Sequence, residues 1–155
     1  MTNKRLQSYF NEANRHIDLI KDSLEELTTP IESYEELPKL QKFALNALIF
    51  RFSKLQDLIG AKIFRLYLEF NGFLTANISY FDILKEIEKE GVVDIDSWGE
   101  LRELRNKIAH DYPQELEEMI ESINLFIDKS QDLIDISQKL EHIFNEIKRE
   151  RDKSN

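Results

Sequence analysis

The chain has no cysteine, and only four glycines and three prolines in 155 residues. The first absence removes disulfides and thiolate metal sites and fits a reducing compartment. The second leaves few places where a helix would be interrupted. No apolar run reaches the roughly 18 residues that a membrane-spanning helix needs. The opening stretch, MTNKRLQSYFNEAN, lacks the apolar segment of a signal peptide. The expected location is therefore the cytoplasm, away from any membrane. Bases are also in short supply, with 21 Lys and Arg against 30 Asp and Glu and a net charge of −9. That deficit argues against strong non-specific nucleic-acid binding, which depends on neutralising phosphates. A local basic site stays open, and an acidic chain suits a basic partner protein.

What is present is helix-forming. Hydrophobic residues make up 41% of the chain, enough at this length for one buried core. Leu6, Phe10, Ala13, Ile17, Ile20, Leu24 and Leu27 step by four and three, which predicts a helix from about Asn3 to Leu27. TTPIESYEELP, with Pro30 and Pro38, is a connector. From about Lys39 to Phe70 the pattern predicts a long helix that is apolar nearly all round. Leu48, Phe52, Ile59, Ile63 and Phe70 share one face, with Phe43, Phe50, Ala61 and Leu68 roughly opposite. Such a helix is expected to be central and covered by its neighbours. Its one polar window holds Arg51, Lys54, Lys62 and Arg65 within about 80°.

Beyond the Asn71-Gly72 turn, Ser79 and Asp82 have the spacing of a capping box and open a short helix that Gly91 closes. Ser97 and Glu100 form an S-x-x-E box that predicts a helix starting near Trp98. Leu101, Leu104 and Ile108 face its core side. Pro113 disfavours a helical Tyr112, so this helix is expected to end near His110 or Asp111, with Pro113 opening the next. The last helix is predicted from about Gln114 to Lys148. Its seam is Met119, Ile123, Phe126, Ser130, Leu133, Ser137, Leu140, Phe144 and Ile147, with two small polar gaps. The sum is an all-α, antiparallel bundle of about five helices in one domain, residues 1–150, with a charged, frayed tail at 151–155. Spare seam length on the last helix could serve a dimer.

The chemistry concentrates in LRELRNKIAHDYPQEL, residues 101–116. His110 falls in a last helical turn, where orphan carbonyls favour an imidazolium, and Lys107 suits the same end. Asn106 stands four residues before His110, so its amide could orient the ring. Arg105 is about 140° from His110 on one helix, so the two converge only if the turn unwinds or a second protomer supplies one of them. Arginine offers a planar fork for phosphate oxygens, and histidine is the usual acid or base near neutral pH. Together they suffice for RNA cleavage without a metal: a base takes the 2′-hydroxyl proton and the arginine stabilises the phosphorane. The same residues equally suit an ordinary helix cap with solvated side chains.

Arg105-Asn106-Lys107-Ile108-Ala109-His110-Asp111-Tyr112 resembles the R-x4-H motif of HEPN domains, and more closely the R-N-x-x-A-H-x-Y form of HepT-like ribonuclease toxins. The resemblance implies an all-helical homodimer that cuts RNA without metal or other cofactor, its site formed where two protomers meet. It implies Arg105 as phosphate ligand, His110 as acid or base, and Asn106 as the polar second position. Tyr112 would match the tyrosine that a nucleotidyltransferase antitoxin AMPylates. The alternative is a non-catalytic HEPN-type subunit that docks a nucleotidyltransferase and helps hold its substrate, and a plainer one still is a helical scaffold.

Other candidates stand apart from the motif. Arg51, Lys54, Lys62 and Arg65, with Lys107, are candidates for guiding an RNA backbone, against salt bridging to the abundant carboxylates. His16 reads as a seam-edge residue, His142 as part of a polar face, and Trp98 as the anchor of its helix start. The glutamates of LKEIEKEG read as a solvated face.

Overall fold

The computed structural model describes residues 2–111 and 116–154, with the side chains of residues 110, 111 and 116 excepted. Among them there is no strand. Helix α1 (Thr2–Glu26) packs along α2 (Lys39–Leu58), which continues through a wide turn, Ile59–Ile63, into α3 (Phe64–Phe70). Then come α4 (Tyr80–Lys89), α5 (Ile95–Asp111), a tight 3₁₀ turn (Leu116–Met119) and the long α6 (Ile120–Lys153). The architecture is the expected all-α bundle, with α2 and α3 forming one rod. No helix among the described residues is long and apolar enough to cross a membrane.

The seams read from the sequence meet in one core. Leu6, Phe10, Ala13, Ile17 and Ile20 of α1 are buried with Leu48 and Phe52 of α2 and Ile123, Phe126, Leu133, Leu140 and Phe144 of α6. Phe52 and Phe126 bring their rings to 4.0 Å, and Phe144 lies between Phe10 at 5.5 Å and Phe70 at 4.8 Å. The polar gaps in α6 are buried too. Ser130 returns its hydroxyl to the Phe126 carbonyl at 2.9 Å, so a small polar residue fits without an unpaired donor. Asn124 pins the first connector by accepting from the Ile31 amide at 2.7 Å and donating to the Ile31 carbonyl at 2.8 Å.

Several boundaries differ from expectation. The central helix is not regular throughout. At Ile59–Ile63 the Phe64 amide bonds to the Ile59 carbonyl, five residues back, and one extra residue is accommodated. Helix α5 begins at Ile95 because Asp94, and not Ser97, is its cap. Asp94 Oδ1 accepts from the Ser97 amide at 2.7 Å and Oδ2 from the Ser97 hydroxyl at 2.9 Å, so Ser97 is the third helical residue. Those bonds hold the Asp94 carboxyl below its ordinary pKa. Ser79 does cap α4, accepting from the Asp82 amide at 3.1 Å, and Gly91 closes it with φ +75°. The regular part of α6 starts at Ile120, after the 3₁₀ turn, whereas the expected start near Gln114 lies outside the described residues. At its other end α6 runs to Lys153. Arg151, expected in a frayed tail, stacks at 4.1 Å over the Phe70 ring and donates to the Phe70 carbonyl at 2.9 Å.

The largest departure concerns the cover of the central rod. Leu68 is buried, but Phe43 and Phe50 are 57% and 51% exposed, and Ala61 is exposed as well. Among the described residues no other element lies over the outer face of α2 where all-round apolarity predicted one.

Candidate functional site

The wide turn positions the site. Gly60 is there because a Cβ would sit 2.8 Å from the Tyr80 hydroxyl and 3.0 Å from Trp98 Cζ2. Trp98, almost fully buried, donates from Nε1 to the Tyr80 hydroxyl at 2.9 Å and meets Phe64 edge-on at 4.8 Å. Trp98 therefore anchors the first turn of α5, as expected, by locking α5, α4 and the rod together. Burial pushes the Tyr80 phenol above its ordinary pKa, so it stays a neutral hydrogen-bonding group.

Beside this junction lies a cavity of about 320 Å³, walled by Gln56, Asp57, Gly60 and Ala61 on the rod, Tyr80 on α4, and Trp98, Arg102, Arg105 and Asn106 on α5. Three of its α5 residues follow i, i+3, i+4 spacing, which places them on one ridge. Arg105 is the centre of the polar contacts. Its Nη2 donates to Asp57 Oδ2 at 2.9 Å, and its Nη1 to Asn106 Oδ1 at 3.2 Å. Its Nε is buried and has no hydrogen-bond partner among the described residues. Gln56 is 3% exposed, and among the described residues neither its amide nitrogen nor its amide oxygen has a partner. Arg102 lies over the Tyr80 ring at 5.0 Å. The wall thus combines two guanidinium groups, one carboxylate, two amides and aromatic surface. Such a set suits a ligand with anionic oxygens and a planar polar edge.

The motif residues are placed unequally. Arg105 and Asn106 share the cavity and touch each other, and the expected Asn106–His110 contact falls on a side chain outside the described residues. His110 belongs to the last turn of α5, the same continuous helix as Arg105, and its side chain lies outside the described residues. Tyr112 and Pro113 lie outside them altogether. Lys107 is exposed on a different side of α5, lining a groove toward Ser122 and Leu125 of α6.

None of the four rod cations lines the cavity. Arg51 Nη1 is 3.3 Å from His16 Nδ1, and both Arg51 and Lys54 flank the Phe50 ring. Lys62 lies 5.1 Å over the Tyr9 ring, and Arg65 donates to the Thr75 carbonyl. Rings and backbone carbonyls hold them, and among the described residues none forms the carboxylate bridge considered above. His16 is buried, and burial followed by the Arg51 charge lowers its pKa. His142 pairs with Glu146 at 3.1 Å on the surface. Among the described residues no three His, Asp or Glu side chains gather as metal ligands would.

Gln56, Asp57, Gly60, Tyr80 and Arg102 do not stand out in the sequence alone. Gly60, in the middle of an apolar helical run, is the one legible signal, since such a glycine often marks close approach of another element. Comparisons with protein-family models, curated proteins and solved structures returned no match.

Proposed function

We propose that this chain is a metal-independent endoribonuclease acting as a homodimer, the toxin of a toxin–antitoxin pair restrained by a nucleotidyltransferase. The observation that carries it is the joint placement of Arg102, Arg105 and Asn106, the last two being the first two residues of the R-N-x-x-A-H-x-Y motif, on one wall of one cavity. In the proposed reaction a guanidinium grips the scissile phosphate and stabilises charge on the phosphorane. His110 takes the 2′-hydroxyl proton, the 2′-oxygen attacks phosphorus, and the 5′-oxygen leaves with a proton from an acid, giving a 2′,3′-cyclic phosphate. Because Arg105 and His110 stand about 140° apart on one straight helix, the pair that acts on a phosphate comes from two protomers. Tyr112 is the proposed AMPylation target.

Purified protein should cut RNA in the presence of a chelator. Arg105→Ala and His110→Ala should each remove cutting by at least a hundredfold while leaving the helical signal and the dimer intact. Cleavage by both variants at the wild-type rate would sink the assignment.

A second reading is a non-catalytic subunit that docks a nucleotidyltransferase and holds part of its substrate. Asp57 favours it, since it already neutralises Arg105, and the net charge of −9 repels RNA. Growth arrest on expressing the chain alone supports the nuclease. Harmless expression, with stable co-purification of a nucleotidyltransferase, supports the subunit.

A further inference from the structure

The outer face of α2 bears a continuous stripe that the described residues of the other elements leave bare. Leu40, Phe43, Ala47 and Phe50 follow steps of three, four and three, and all are exposed, Leu40 by 61%. The stripe continues by four, three and four through Lys54, Asp57 and Ala61, also exposed, and the last two line the Arg105 cavity. Cations edge its rings: Lys39 Nζ is 5.8 Å from the Phe43 centroid, and the Arg51 guanidinium and Lys54 Nζ are 5.2 and 5.5 Å from that of Phe50. From Lys39 to Gln56 the helix has no acidic residue, in a chain that carries 30.

We propose that this stripe binds single-stranded RNA and leads it into the Arg105 cavity. Bases stack on Phe43 and Phe50, while Arg51 and Lys54 meet the phosphates. The proposal rests on the ribonuclease reading and extends it to the form of the substrate. Exposed aromatics interleaved with cations are the elements that hold single strands without sequence preference, because every base has a π-face. The two rings are seven residues apart, about 10 Å along the helix and within about 20° of one azimuth. That matches about three stacked nucleotide steps of roughly 3.4 Å.

Two rival occupants fit less well. A second copy laid on the stripe would bring its own Lys39, Arg51 and Lys54 into the same seam, adding like charge to like. An acidic amphipathic helix would answer the cations but would leave unexplained why the stripe runs into a cavity with two arginines. A polyanion bearing planar bases answers the rings, the cations and the cavity together.

The test uses the full chain and a fluorescein-labelled dodecamer of mixed sequence, as RNA and as the 2′-deoxy strand that 2′-hydroxyl chemistry cannot cut. Anisotropy titrations should show Phe50→Ala weakening binding of the deoxy strand about tenfold, and Phe43→Ala/Phe50→Ala more. Lys54→Gln should lower the slope of log affinity against log salt by about 0.7. All three positions are exposed, so unchanged melting temperatures are expected. Wild-type affinity in the double variant would overturn the proposal. So would failure of wild type to bind the strand while the double variant changes the sedimentation mass of the dimer or loses affinity for an acidic helical peptide. The two proposals fail separately. RNA cleavage dependent on Arg105 and His110, with strand binding indifferent to both rings, removes the stripe and keeps the nuclease. Strand binding that needs the rings, without cleavage of RNA, does the reverse.

Discussion

Arg105 Nη2 and Asp57 Oδ2 lie 2.9 Å apart across α5 and the rod, so the cation best suited to a phosphate already holds an anion. Both side chains keep partial contact with solvent, 30% for Arg105 and 56% for Asp57, which limits what the pair adds to folding. Its larger effect is competitive. A phosphate entering the cavity must displace or share the carboxylate, and Asp57 sets how readily Arg105 turns to it.

Asp57→Asn keeps the size of the side chain and removes the competing charge. We expect single-stranded oligonucleotide to bind severalfold more tightly, with the gain shrinking as salt is raised. Unfolding free energy should change by less than about 1 kcal/mol. Affinity equal to wild type at low salt would show that Asp57 does not compete.

Gln56→Met probes the buried amide. Gln56 has two polar atoms without partners among the described residues, and Met fills a similar volume without that burden. Urea unfolding should give a stability higher by about 1 kcal/mol. A loss of that size would mean that the amide has a partner in solution, and the cavity would then need a different chemical description.

Gly60→Ala tests the junction. Alanine gains about 1 kcal/mol of helix propensity over glycine, but its Cβ would meet the Tyr80 hydroxyl at 2.8 Å and Trp98 Cζ2 at 3.0 Å. Overpacking at about 1–3 kcal/mol should win, because the Trp98 ring is fixed by its bond to Tyr80. Net destabilisation and a shifted Trp98 emission are expected, and the chain has one tryptophan, so the signal is unambiguous. A variant more stable than wild type would contradict this close packing.

His16 makes stability depend on pH. Burial and the charges of Arg51, Arg15 and Lys54 lower its folded pKa, against an opposing pull from Glu12. The unfolded chain therefore binds the proton more readily than the native state. Stability is complete above about 6.5 and falls as pH drops from there through the lowered folded value. His16→Gln should flatten that part of the curve, measured as unfolding free energy at a series of pH values. An unchanged slope would assign it to another group.

The bundle was legible because its seams are written in periodicity: every seam residue quoted for the first helix is buried except Leu24, which is partly buried, and Leu27 is buried just past the last residue of α1. The bare face of α2 was not legible, because periodicity reports which residues are apolar but not which of them find a neighbour. Phe43 and Leu68 look alike in the sequence, yet one is exposed and the other buried. Arg105 and Asn106 were legible as a chemical pair, while Asp57 was not, since a surface carboxylate 48 residues away gives no local sign of a partner. The cap at Asp94 was hidden by a second plausible cap three residues on.

The wide turn at Ile59–Ile63 has a consequence for length rather than composition. It takes up one residue more than a regular helix would, so it sets the phase between the two halves of the rod. Deleting a residue there would let an ordinary helix run through with Phe64–Phe70 still in phase with Lys39–Leu58, whereas deleting one from a regular stretch would rotate the two halves by about 100°. Tyr67, Leu68 and Phe70 would keep their places in the core, and the loss would fall on the close approach of Gly60 to Trp98. The segment can therefore absorb a change in the count of its residues that the regular turns on either side of it cannot.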